Sequence, residues 1–127
     1  LIIILDPRSH LPLWEQIVLQ TKEQMLRKIL VNGDKLPSVR ELATTLVINP
    51  NTVSRAYQEL ERTGVIETIR GKGTFVIGLT KETVSTDTLL KYKNKLSNLL
   101  IDCLTDGVEV EEIMNWVKEF YSNKGAE

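Results

Sequence analysis

Apolar residues recur along this 127-residue chain with several different spacings. Leu1 to Leu5 is a continuous apolar run closed by Asp6-Pro7, and it predicts a short strand. Pro12 suits the first turn of a helix. From there to about Val31, Leu13, Ile17, Met25, Leu26, Ile29 and Leu30 return near helical spacing, and Asn32-Gly33 supplies a stop.

A tighter pattern follows. Ser38 with Glu41 three residues on is a capping box: the serine oxygen accepts the amide of the third helical residue, and the glutamate reaches back to the serine amide. Val39, Leu42, Ala43 and Leu46 then form the apolar face of a short helix, and Val47-Ile48 carries the chain through a tight turn. Asn49 caps the next helix, with Pro50 at its first position, where no backbone donor is needed. Val53, Ala56, Tyr57 and Leu60 are its inward positions, and Gly64 ends it. Two alternating runs, Val65 to Ile69 and Thr74 to Ile77, flank Arg70-Gly71-Lys72-Gly73 and predict a β-hairpin with a basic, glycine-rich tip.

Gly78 to Asp87 is polar and reads as a linker. Beyond it, Leu89, Leu96, Leu99, Leu100, Cys103 and Leu104 form one helical stripe, stopped at Gly107. Ile113, Met114, Val117, Phe120 and Tyr121 form another. Two short amphipathic helices cannot bury both stripes alone, so these faces call for a partner surface. The expected fold is mainly α with a small β-hairpin: a winged helix-turn-helix over residues 1–78, then a two-helix hairpin over 79–127 whose apolar faces need a partner surface.

Composition narrows the class. Apolar residues make up 42% and charged residues 26%, which is enough for a packed core and not a disordered composition. The longest apolar run is too short to span a bilayer, and a single cysteine, Cys103, fits a reducing compartment, so the expected location is the cytoplasm. The formal net charge is −1, split into +2 over residues 1–78 and −3 over 79–127. DNA binding must therefore be argued from where the cations sit.

In a helix-turn-helix the second helix enters the major groove and its first residues meet base edges. Here residues 50–63 form that helix. Asn51, Thr52, Ser54, Arg55 and Gln58 point away from its apolar face. Arg55 can fork onto guanine, Asn51 onto adenine, and Thr52 or Ser54 onto phosphate or base. Ser38 and Arg40 open the preceding helix, and Arg40 lies on its exposed side. Arg70, Gly71 and Lys72 fit a wing that meets the backbone or a minor groove.

The string from Gly33 to Ala43, then Asn49 to Tyr57, Leu60-Glu61, Gly64 and Gly71 to Val76, resembles the signature of the GntR family of bacterial regulators in order and spacing. The resemblance places DNA contacts on Arg40, Asn49, Asn51, Thr52, Ser54, Arg55, Arg70 and Gly71. Some relatives carry a basic residue where Ser54 stands, which bears on base preference. Only 49 residues follow Gly78, too few for the large effector domains of most subdivisions. The short helical tail, and Pro12 to Ile17, resemble the YtrA-like subfamily. That resemblance implies a homodimer joined by Leu89, Leu96, Leu99, Leu100, Cys103, Ile113, Val117, Phe120 and Tyr121, repressing genes often linked to an ABC-type transporter.

Other residues have plainer readings. His10 is a loop histidine with no ligand-spaced neighbour, so no metal site is expected. Cys103 reads as a small hydrophobe, Trp14 and Trp116 as packing or dimer residues, and Glu109, Glu111 and Glu112 as the acidic start of a helix. No nucleophile–base pair or nucleotide-binding loop is present in the sequence, so neither an enzyme nor a cofactor is expected. Expected partners are double-stranded operator DNA and a second copy of the chain, with a small-molecule effector of unspecified chemistry and no membrane. The competing class is a winged-helix protein-interaction module that uses the helical tail.

Overall fold

The computed structural model describes residues 1–79 and 83–124. The chain divides into two units, Leu1–Thr80 and Lys81–Glu127. The first contains helix α1 (Leu13–Leu26), strand β1 (Lys35–Leu36), helices α2 (Val39–Leu46) and α3 (Pro50–Arg62), and strands β2 (Ile66–Ile69) and β3 (Gly73–Val76). The second contains α4 (Thr86–Thr105) and α5 (Val110–Lys124).

The first unit is closed around one core. Ile17 from α1, Val53, Ala56 and Leu60 from α3, and Leu36, Ile66 and Val76 from the three strands are essentially inaccessible to solvent. Leu42 and Ala43 bring α2 onto the same cluster. Helix α3 lies at the centre, packed against both α1 and α2. The sheet is antiparallel in the order β1-β3-β2. Lys35 pairs with Phe75 and Leu36 with Thr74 on one side, and Ile66 pairs with Val76 and Ile69 with Gly73 on the other. The expected hairpin thus gains a third strand. Its two residues are too few to show an alternation in sequence, although Leu36 is 2% exposed and sits in the core.

Leu1–Leu5 is extended but forms no strand. Its hydrogen-bond partners are side chains. The backbone N–H and C=O of Ile2 bond the Gln24 amide, those of Ile4 bond Gln20, and those of Asp6 bond Gln16. Two residues of extended chain advance about 6.6 Å and four helical residues about 6 Å, so alternate backbone amides meet glutamines spaced one turn apart. The backbone groups are satisfied as a ladder would satisfy them, without a neighbouring strand. Ile3 faces inward, while Ile2 and Ile4 face solvent.

Helix α1 also stops earlier than its apolar spacing predicts. Lys28 takes a left-handed φ of 61°, and the amides of Ile29 and Leu30 both bond the Gln24 carbonyl. Leu30 reaches the core from this turn, and Ile29 stays exposed. In the second unit the linker expected to reach Asp87 ends sooner. Ser85 caps α4 by accepting the Thr88 amide at 3.1 Å, and the helix begins at Thr86. Residues 80–82, part of the expected linker, lie outside the described residues. Helix α4 holds no buried residue, and Leu89, Leu96, Leu99, Leu104, Val117, Phe120 and Tyr121 are all exposed. Leu100, Cys103 and Ile113 are half-buried.

Candidate nucleic-acid interface

The local sequence sets the helix-turn-helix. Ser38 and Glu41 form the full capping box: the Glu41 amide donates to the Ser38 hydroxyl at 3.0 Å, and the Ser38 amide donates to the Glu41 carboxylate at 3.3 Å. The Ser38 side chain, then its backbone amide, hold the Glu41 carboxyl below the usual carboxylate range. Helix α2 ends at Val47, which takes the left-handed conformation (φ 55°, ψ 51°) with its side chain almost fully exposed. Ile48 then donates its amide to the Ala43 carbonyl at 3.0 Å. Asn49 caps α3 by accepting the Asn51 amide at 2.8 Å. Tyr57 fixes α3 to the entrance of α2, because its hydroxyl donates to the Pro37 carbonyl at 2.7 Å. Burial, and secondarily the Glu41 charge, push that phenol above its ordinary range, so it remains a donor.

With Val53, Ala56, Tyr57 and Leu60 buried, the opposite side of α3 faces outward. Asn51, Arg55 and Gln58 are exposed there, and Thr52 and Ser54 are half-buried at its flanks. Arg62 lies on the same side but is engaged by Glu59 through two bonds, at 2.9 and 2.6 Å. The Arg55 guanidinium carbon lies 4.3 Å from the centroid of the Trp14 ring. Arg55 is therefore not a loose surface arginine, and Trp14 does more than fill the seam between α1 and α3. Arg40, Asn49, Arg70, Gly71 and Lys72 are exposed, as is Ser38 apart from its capping bonds.

The wing is held in place from two sides. The Thr68 hydroxyl donates to the Glu61 carboxylate and contacts the Thr74 hydroxyl, tying the sheet to the last turn of α3. At the tip, the Lys72 amide donates to the Ile69 carbonyl at 2.9 Å, closing a four-residue turn in which Gly71 has φ 80°. A side chain at that position would be strained. Gly73 has φ 125°, and a β-carbon there would meet Lys35 Cε at 2.9 Å. The glycine lets the lysine lie across the sheet edge.

A groove of about 380 Å³ runs between the start of α2 and the wing, lined by Lys35, Ser38, Glu41 and residues 68–74. It brings three cations, Lys35, Arg70 and Lys72, around the N-terminus of a helix, an arrangement suited to an anionic backbone. Lys35 is the residue that sequence reasoning passed over. The signal was its position three residues before Ser38, but only the pairing of β1 with β3 places it beside the wing. In sequence Trp14 reads as a packing or dimer residue, because the contact with Arg55 joins positions distant along the chain.

Comparison with known proteins agrees with this geometry. The model of the bacterial regulatory proteins of the gntR family matches residues 13–76. The HTH-type transcriptional repressor YtrA of Bacillus subtilis (strain 168) is 51% identical over 115 residues, covering 91% of this chain and 88% of that protein. The crystal structure of a transcriptional antiterminator from Listeria monocytogenes EGD-e matches with a TM-score of 0.88 and 40% identity, over 98% of this chain and 92% of the other. YtrA from Sulfolobus acidocaldarius, a GntR-family transcription factor, matches with a TM-score of 0.54 and 32% identity, over 95% and 97% of the two chains. Family match, near full-length similarity and winged-helix geometry agree, and the chain belongs to the gntR family of bacterial regulatory proteins, as a DNA-binding transcription regulator of the YtrA-like kind and not an enzyme.

Proposed function

We propose that the protein is a sequence-specific repressor that binds operator DNA in the cytoplasm as a two-fold homodimer. The observation that carries this reading is the capped α3, whose inner face is fully buried while Asn51, Arg55 and Gln58 stand exposed on its outward side. Helix α3 lies in the major groove. Asn51 and Arg55 meet base edges, and Thr52 and Ser54 meet bases or phosphates at the flank. Arg40 meets a base edge or a phosphate beside the recognition helix, and Ser38 contacts the backbone, with Asn49 at the start of α3. Arg70, Gly71 and Lys72 bring the wing to the backbone or minor groove, with Lys35 behind them. Residues 1–78 form the DNA-binding part and 79–127 the dimerisation tail. Leu89, Leu96, Leu99, Leu100, Cys103, Ile113, Val117, Phe120 and Tyr121 supply the seam, a reading supported by the exposure of six of them in the single chain, with Leu100, Cys103 and Ile113 half-buried.

Fluorescence anisotropy against the promoter of the protein's own operon, over a series of salt concentrations, tests the DNA half. Affinity is expected to fall steeply with salt, as counterion release requires. Arg40→Ala is expected to weaken specific binding by about 1–3 kcal/mol. Lys72→Ala is expected to lower affinity evenly across sequences and reduce the salt slope by about 0.9. Binding that ignores salt and is unchanged by Arg40→Ala would point instead to a protein-interaction module.

A further inference from the structure

The Trp14–Arg55 contact joins the first turn of α1 to the outward face of α3. A guanidinium 4.3 Å from an indole centroid is at cation–π distance. An arginine laid on a ring in this way keeps its N–H donors along the rim of its plane. Among the described residues the salt bridges are Arg27 with Glu23 and Arg62 with Glu59, and Arg55 belongs to neither. Trp14 itself is half-buried and packed against the core. An exposed arginine loses rotamer freedom when it docks on a base, whereas one already resting on an indole has lost much of it beforehand.

We propose that Trp14 is a positioning residue for base recognition: it holds the Arg55 guanidinium as a preformed plate beside the recognition helix, so that its N–H edge reads one base pair in each half-site. This inference rests on α3 being the DNA-reading helix, and the experiment separates the two.

The full-length wild-type chain is used to select a preferred duplex from randomised DNA. Affinity is then measured for that duplex and for duplexes altered one base pair at a time. Trp14→Leu keeps apolar bulk without a ring, and Trp14→Phe keeps a ring. Trp14→Leu is expected to lose about 10-fold on the selected duplex. The loss is expected at the single base pair that Arg55→Ala also fails to discriminate, with non-specific affinity and salt slope unchanged. Trp14→Phe is expected to recover most of it, and Trp14→Leu combined with Arg55→Ala to be no worse than Arg55→Ala alone. Arg55→Lys leaves α1 untouched, keeps the charge and removes the plate. It is expected to lose the same base pair even if Trp14→Leu fails to fold. Wild-type discrimination in Trp14→Leu or Arg55→Lys overturns the positioning role, as does a double variant whose losses add. Failure of the wild-type chain to enrich any sequence overturns the reading of α3, and the positioning role with it.

Discussion

The two units use similar apolar residues to opposite ends. In Leu1–Thr80, leucines and isoleucines at the inward positions are almost entirely removed from water, and Leu60 and Ile17 have no exposed surface. In Lys81–Glu127, residues of the same kind at the same helical spacing remain open: Leu96 is 54% and Leu99 58% exposed. The first unit has three helices and a sheet around a shared centre, so each stripe meets another. The second has two helices and no buried position in the longer of them. Helical periodicity therefore states that a face will be covered, but not what covers it.

The sharpest test of this contrast is a pair of truncations. Leu60→Ala is expected to destabilise the first unit by about 2–5 kcal/mol, since it leaves a cavity in a closed core. The loss should appear in chemical denaturation at any protein concentration. The combined variant Leu96→Asp, Leu99→Asp is expected to leave the fold of the first unit intact. It should convert dimer to monomer in sedimentation equilibrium, with about 1.5–3 kcal/mol lost per leucine in each copy. A dimer that survives this variant would place the seam elsewhere.

Two smaller changes probe the first unit alone. Val47 holds a β-branched side chain in left-handed backbone without packing to repay it. Val47→Gly is expected to stabilise by about 1 kcal/mol, read as a rise in melting temperature, with no change in oligomeric state. The smallest expected effect concerns Glu41. Its carboxyl is lowered by the Ser38 bonds in the folded chain, so it contributes stability that is present above its unfolded value and lost as pH falls through the folded one. Ser38→Ala is expected to flatten this part of the acid limb of stability, below the ordinary glutamate value near 4.5. An unchanged acid limb would mean that the capping box adds nothing to pH dependence.

Much of the first unit was legible because its signals are local. The capping box needs only Ser38 and Glu41, and the cap of α3 only Asn49 and Pro50. The buried face of α3 follows from one periodicity. What escaped depends on contacts distant in sequence. The Leu1–Leu5 segment has a strand's composition, but three glutamines of α1 take the place of a neighbouring strand, and their one-turn spacing was the overlooked clue. Ile29 and Leu30 continue the helical rhythm by coincidence, after the backbone has already turned at Lys28. Strand β1 is visible only through its pairing with β3, and that pairing carries Lys35 to the wing. The site was legible as a set of outward positions on one helix. The arrangement of Arg55 on Trp14 was not, because it requires α1 to lie against α3.

The docking of α3 is tested most directly by dimethyl sulfate protection of guanine N7 on the selected duplex, since N7 lines the major groove. Two protected clusters are expected, related by two-fold symmetry and separated by about 10 base pairs or slightly more. Reactive N7 positions throughout a bound duplex would contradict major-groove reading by α3, and a single protected cluster would contradict the paired, two-fold complex.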